Sequence, residues 1–233
     1  MRYLLLILLA FGMNVNAEVL RTSITLPTLS QDPNGCFADQ TPSGAEALSL
    51  DGALVVGGVC IHNAPQKISI EGGDNNSGVV VTIVGTNADN QVQKEDLTLS
   101  NGATVHSVYY YKKIESITTD GATAGDIEGG PLSAQGAVSK VLVPDTDNYW
   151  AQYAVEIDIT TATYTVEYTF DNTPIGVATV GDTPETWNDH EVLAAKTADA
   201  VSNIALPVSG FRLKFSAWTT GTGVMTINQE KKI

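Results

Sequence analysis

The pattern of apolar and polar positions along the chain is that of short β-strands. Runs rich in Val, Ile, Thr and Tyr recur at close spacing and are separated by Gly, Asn and Asp, as in sandwiches and barrels. In 164–170 and 211–217, apolar side chains occupy every second position and polar residues occupy the positions between them. This alternation is typical of antiparallel strands with one buried face. The sequence therefore predicts an all-β protein.

The strands predicted from this pattern are 47–50, 67–71, 79–85, 92–99, 105–111, 114–119, 139–143, 151–159, 164–170, 204–208, 211–217 and 224–229. Clusters of Asp, Asn and Gly at 74–78, 87–90, 101–102 and 120–121 predict the turns between them. Helical periodicity is nearly absent, and only 191–196 is compatible with a helical turn. Trp187, in the preceding loop, is interpreted as an anchor that covers the second core.

The predicted strands fall into two groups on either side of a glycine-rich stretch. Residues 126–136 contain Gly129, Gly130, Pro131 and Gly136 and few large apolar side chains, which is typical of a linker. We expect two antiparallel β-sandwich domains in tandem, Ig-like or jelly-roll-like, over 24–125 and 137–233. Each is long enough to bury its own core.

The N-terminal segment 1–23 is predicted to be a hydrophobic arm or a signal-like segment. Arg2 precedes an apolar run, and a cleavage site before Glu18 would match a secretory signal. The run is shorter than the ~20 residues of a membrane-spanning helix, so no stable membrane span is expected. If the segment is retained, its apolar side chains would form an assembly arm buried against a neighbouring subunit: Leu4, Leu5, Leu6, Ile7, Leu8, Leu9 and Phe11.

The chain is strongly acidic and poor in charged residues. It has a net charge of −14, and only 16% of its residues are charged. A protein of this charge repels phosphate, so nucleic acid is not an expected partner. Its polar surface must instead come largely from Thr, Ser, Asn, Gln and Gly, which suits strands with one face in water or against partner chains.

The two cysteines leave two alternatives open. Cys36 and Cys60 are interpreted first as small buried thiols and second as a disulfide, if the compartment is oxidising. No Cys-x-x-Cys spacing is present and the three histidines are scattered, so no structural zinc site is predicted. A calcium site at 145–148 is a weaker alternative to solvated loop acids, since the glycine and bidentate glutamate of an EF-hand loop are missing.

No catalytic constellation is recognisable in the sequence. It lacks a G-x-S-x-G elbow, an H-E-x-x-H motif, a P-loop and a dinucleotide fingerprint. His106 and Ser107 are neighbours on one strand and point to opposite faces. Acid pairs such as Glu95 and Asp96 leave a carbohydrate hydrolase as a minor alternative. We expect no enzyme activity, no cofactor and no metal.

The order of several motifs resembles that of tailed-bacteriophage virion structural proteins. In the first half these are 40–45, 48–54, 65–70, 74–78, 82–87, 111–117 and 121–125. In the second half an aromatic strand at 164–171, Trp187 and the segment 207–221 with Arg212 and Leu213 continue the resemblance. Together they extend over about residues 24–230.

This resemblance implies a homo-oligomeric virion component that binds other virion proteins, such as major capsid or tail proteins, and copies of itself. A capsid decoration or head-surface role is expected first. A tail, fibre or adaptor role is the alternative within the particle. The signal-like N-terminus and the cysteines favour a different alternative, a secreted bacterial surface or adhesin-like protein.

Overall fold

The computed structural model describes residues 17–26, 32–132, 135–145, 147, 149–171, 184–218 and 221–231. None of these residues lies in an α-helix, so the all-β prediction is confirmed. Their strands are β1 (Ala17–Leu26), β2 (Phe37–Gln40), β3 (Glu46–Ala47), β4 (Val55–Val56), β5 (Val59–Gln66), β6 (Ile68–Gly72), β7 (Val80–Thr86), β8 (Val92–Thr98), β9 (Val105–His106), β10 (Tyr111–Thr119), β11 (Ile127–Pro131), β12 (Ala137–Val138), β13 (Tyr149–Ile159), β14 (Ala162–Thr169), β15 (Asn188–Asp189), β16 (Ala200–Ile204), β17 (Gly210–Trp218) and β18 (Gly221–Lys231).

These strands form three antiparallel sheets. A ten-stranded sheet has the order β15-β14-β17-β12-β5-β10-β7-β8, with β3 on β10 and β4 on β5. One four-stranded sheet has the order β1-β18-β13-β16, and the other has the order β2-β11-β6-β9. The two-residue strand β12 pairs with both β17 and β5 and so joins strands of the two halves of the chain.

Each four-stranded sheet packs against one half of the ten-stranded sheet. The first core contains Tyr153, Val155 and Ile227 from one four-stranded sheet and Phe211 and Leu213 from the long sheet. The second core combines residues from the long sheet with residues of the other four-stranded sheet, including Val81, Ile83, Ile117, Ile68, Ile70 and Ile127. The antiparallel sheets thus enclose two cores, and the ten-stranded sheet forms one side of both. The domain bounds drawn from the sequence stay a prediction.

The N-terminal strand belongs with the second half of the chain. β1 pairs with β18 over its whole length, from Ala17 opposite Glu230 to Leu26 opposite Gly221. The boundary predicted between 1–23 and 24–125 therefore falls inside a strand. The predicted assembly arm, from Leu4 to Phe11, lies outside the described residues.

The predicted linker 126–136 contains a strand. β11 pairs with β6 and β2, and Gly129 lies opposite Ile70 and Phe37 in the two registers. A Cβ atom on Gly129 would come within 2.2 Å of Cε1 of Phe37. Gly129 is thus required because a ring packs directly on the backbone, and the glycine content reflects this close approach rather than a linker.

The alternation predicted in the second half is present in part. In β17, Phe211, Leu213 and Phe215 are fully buried, while Arg212 and Lys214 on the other face are partly exposed. In β14 the pattern breaks down, because Glu167 is 2% exposed and Phe170, just beyond the strand, is 47% exposed. The helical turn predicted at 191–196 is wrong, since these residues form bends and a bridge between Tyr164 and Lys196.

Candidate functional site

A cleft of about 240 Å³ opens where the two halves of the ten-stranded sheet meet. Its walls come from distant parts of the chain. Lys67 lies between β5 and β6, Gln93 lies on β8, and Tyr110 immediately precedes β10. Trp187 precedes β15, and Arg212 lies on β17. Strand pairing within the shared sheet is what brings these side chains together.

A buried carboxylate holds two of the cations in this cleft. Glu167 on β14 lies opposite Arg212 on β17, and its Oε2 accepts a hydrogen bond from the Arg212 Nε at 2.6 Å. Its Oε1 accepts a second hydrogen bond from the Lys214 Nζ at 2.8 Å. Burial acts to lower the pKa of Lys214, but the hydrogen bond and charge of Glu167 outweigh it and the pKa is raised. The sequence pattern had placed Glu167 on the water-facing side of its strand.

Two aromatic rings line the cleft, each with a cation over its face. The Arg212 Cζ lies 4.0 Å from the ring centroid of Trp187 and 5.5 Å from that of Tyr110. The Lys67 Nζ lies 5.4 Å from the Tyr110 ring centroid. The loop before β15 is fixed by the Thr186 N–H, which donates to Asp171 Oδ2 at 2.6 Å. Trp187 therefore forms part of the cleft wall, with its ring against Arg212.

The opposite wall carries polar groups on β8 and on the turn before it. Gln93 is only 7% exposed, and its Oε1 has no hydrogen-bond partner among the described residues. Asn87 stabilises the turn, because its Oδ1 accepts hydrogen bonds from the backbone N–H groups of Asp89 and Gln91. Burial raises the pKa of Asp89, and it also raises that of Glu185 on the facing loop. The cleft thus offers cations, acceptors and aromatic surface together.

Each of the three histidines has a hydrogen-bonded position in the fold. His62 donates through Nδ1 to the carbonyl oxygen of Tyr111 at 2.9 Å. His190 accepts at Nδ1 from the backbone N–H groups of Val192 and Leu193. His106 Nδ1 lies 2.7 Å from Ser69 Oγ across the β6–β9 pair. Ser69 is 2% exposed, and neither Ser69 nor His106 lines the cleft.

The structure joins Cys36 and Cys60 in a disulfide, the second of the two alternatives that the sequence left open. Both residues are fully buried. His62 Nε2 lies 3.6 Å from Cys36 Sγ, so three residues with metal-ligating side chains come together in the second core. A cysteine binds zinc as a thiolate, and the disulfide leaves neither sulfur in that form. Burial lowers the pKa of His62 to about 4, so the ring is neutral at pH 7.

The acid pairs considered for catalysis or metal binding do not come together in this cleft. Glu95 is buried, whereas Asp96 beside it is exposed and accepts a hydrogen bond from the Thr82 hydroxyl. At the candidate calcium loop, the Asp147 N–H donates to Asp145 Oδ1, while residues 146 and 148 lie outside the described residues. None of the described residues forms a helix of the length and hydropathy needed to span a membrane.

No protein-family model and no curated protein sequence matches this chain. Among solved structures, the chain is similar to the stem and receptor-binding domain of the spike protein P1 from bacteriophage PM2, with 8% sequence identity. The match covers 96% of this chain and 100% of that chain, with a TM-score of 0.19. A TM-score this low does not show a shared fold or function.

Proposed function

We propose that the protein is a non-enzymatic structural protein of a bacteriophage particle. In this role it decorates the capsid, or another part of the head surface, and stabilises the particle through protein–protein contacts. The ordered motifs over residues 24–230 support the class. The net charge of −14 supports an outer, solvent-facing position away from nucleic acid.

The observation that supports the assembly role is that, within the described part of the chain, the sheets end in strands with one unpaired edge. β8 is the last strand of the ten-stranded sheet, and β1 and β16 are the outer strands of a four-stranded sheet. Edge strands pair readily with another chain. Val92 on β8 and Val201 on β16 are 47% and 68% exposed, so apolar contact area accompanies these outer strands. The proposed partners are capsid or tail proteins and further copies of this chain.

A secreted bacterial surface or adhesin-like protein is the second candidate, and the disulfide favours it. Disulfides form in oxidising compartments, including the bacterial periplasm and the cell exterior, and they also persist on virion surfaces. Cleavage before Glu18 would leave nine of the ten residues of β1, which begins at Ala17. Export is therefore compatible with the sheet as it stands.

Intact-mass spectrometry on purified particles and on the secreted fraction of the host separates these two candidates. If the protein in particles has the mass of a chain that begins at residue 1 or 2, the virion role and a retained N-terminal arm are supported. The virion role is overturned if the protein is found only outside particles and has the mass of a chain that begins at Glu18, less two hydrogens for the disulfide.

The edge-strand contact has its own test. Val201→Lys places a charge on the outer strand β16 and is expected to reduce incorporation into particles, because charge on an edge opposes strand pairing. Val192→Lys is the matched control, since Val192 is also exposed (53%) but lies outside the strands. Equal incorporation of both variants would contradict assembly through this edge.

A further inference from the structure

The cleft at the centre of the shared sheet concentrates cations in an otherwise acidic protein. The chain has 12 lysines and arginines against 26 acidic residues. Three of those cations line the cleft, Lys67, Arg212 and Lys214, together with two carboxylates, Asp89 and Glu185, and the buried Glu167 is paired with two of the cations. An acidic surface repels anions at long range, so a concentration of cations in one concave site needs a local reason.

The cations of the cleft are not fully compensated by ion pairs. Among the described residues, one carboxylate, that of Glu167, pairs with both Arg212 and Lys214. Lys67 forms no salt bridge with any described residue, and burial lowers its pKa. A bound carboxylate would give Lys67 a direct partner through a charge-assisted hydrogen bond.

An unpartnered acceptor sets a second requirement on the ligand. The Oε1 atom of Gln93 is buried without a donor, although leaving such an atom unpaired costs about 1–3 kcal/mol. A hydroxyl group would provide the donor. A bare anion such as phosphate would provide mainly further acceptors, and it would also meet the carboxylates of Asp89 and Glu185.

The aromatic walls set a third requirement, an apolar face on a small ring. Tyr110 and Trp187 both line the cleft, and each has a cation over its ring. The cleft volume of 240 Å³ is below the ~300–1,000 Å³ of sites for drug-sized ligands. It therefore fits one ring rather than an extended chain.

We propose that this cleft binds the terminal residue of an acidic saccharide, a pyranose that carries a carboxylate, as hexuronic and sialic acids do. The carboxylate is bound by Lys67 and the outer side of Arg212. A ring hydroxyl donates to Gln93 Oε1, and the C–H face of the sugar packs on Tyr110 and Trp187. The inference holds for a particle protein and for a secreted one, and it does not rest on the proposed function.

The test is calorimetric titration of the full chain with D-glucuronic acid and N-acetylneuraminic acid, and with D-glucose and inorganic phosphate as comparison probes. Saturable binding of at least one acidic sugar is expected, about tenfold or more tighter than glucose, because a hydrogen bond to a charged group contributes at least that factor. It is also expected to be tighter than phosphate, which offers no apolar ring face and meets the carboxylates of Asp89 and Glu185. Lys67→Gln should weaken this binding by about tenfold. Lys94→Gln is the matched control, because Lys94 is exposed on the outer face of β8.

Gln93→Met separates ligand binding from folding. It removes the unpaired acceptor, so it should leave the melting temperature unchanged or raised while it weakens acidic-sugar binding. The proposal is overturned if neither acidic sugar binds, if glucose or phosphate binds as tightly, or if Lys94→Gln weakens binding as much as Lys67→Gln. Particle incorporation is measured separately, so a failure of this proposal and a failure of the structural role are distinguishable.

Discussion

The guanidinium group of Arg212 lies over the indole ring of Trp187, with its Cζ 4.0 Å from the ring centroid. The same guanidinium donates through Nε to Glu167. A planar, delocalised cation can stack and form a directed hydrogen bond at once, which an ammonium group cannot reproduce. Arg212 thus connects β14, β17 and the loop before β15 at one wall of the cleft.

Arg212→Lys is expected to lower the free energy of unfolding by about 1–2 kcal/mol, because it loses the stack and the directed hydrogen bond. Urea denaturation measures the change. A double-mutant cycle with Trp187→Leu should give a coupling of about 0.5–1 kcal/mol between the two residues. Strictly additive effects would show that the stack contributes nothing to stability.

Glu167→Gln is expected to lower the free energy of unfolding by about 3 kcal/mol, which is more than Arg212→Lys, because it leaves two cations beside a buried neutral amide. The side chain of Glu167 is 3% exposed and accepts hydrogen bonds from both cations. Glu156→Gln on β13 is the control, because Glu156 is exposed. Equal denaturation midpoints for the two variants would contradict a structural role for the buried carboxylate.

Gly129→Ala tests whether the glycine-rich segment is a strand or a linker. The new methyl group would meet the ring of Phe37 at 2.2 Å, so we expect a loss of about 2–3 kcal/mol in the free energy of unfolding. Gly44→Ala is the matched control, because nothing lies within 4 Å of its Cβ position and its φ is not positive. In a flexible linker both substitutions would be neutral.

The strands were largely predictable because a period of two is a local signal. The alternation of Phe211, Leu213 and Phe215 with Arg212 and Lys214 predicts one buried face, and these three apolar side chains are buried in the structure. β11 was missed because its glycines resemble a loop until the contact between Gly129 and Phe37 is known. Local composition cannot distinguish a glycine that permits flexibility from one that permits a close approach.

The architecture and the cleft depend on long-range pairing, which a single sequence does not reveal. β12 has only two residues, yet it joins strands from both halves. Burial of Glu167 follows from its cross-strand neighbour Arg212, not from its position in the alternation of β14. Lys67 and Arg212 lie in separate motifs of the resemblance and Gln93 lies in none, and only the order of strands in the sheet places the three together.

The disulfide between Cys36 and Cys60 is expected to stabilise the first half of the chain. It links residues separated by 24 positions, and a loop of that length corresponds to about 3.5 kcal/mol in the chain-entropy account. The double variant Cys36→Ala/Cys60→Ala should lose about that amount in urea denaturation. Added reductant should lower the stability of the native protein but leave the double variant unaffected. Equal stability of the two proteins without reductant would contradict a formed bond.

Buried His62 is expected to make the protein acid-sensitive between about pH 6.5 and pH 4. Burial lowers its pKa to about 4 in the folded state, against 6.5 when exposed. Within this window the unfolded chain binds more protons than the folded chain, so stability falls as pH falls, by about 3 kcal/mol over the whole window.

His62→Gln keeps a donor for the Tyr111 carbonyl oxygen and does not titrate, so its stability should exceed that of the wild type increasingly towards pH 4. The carboxyl groups of Asp89, Glu95 and Glu185, whose pKa values are raised by desolvation, oppose this trend equally in both proteins. The difference between the two urea-denaturation curves therefore isolates His62, and a difference that does not change with pH would contradict its neutral burial.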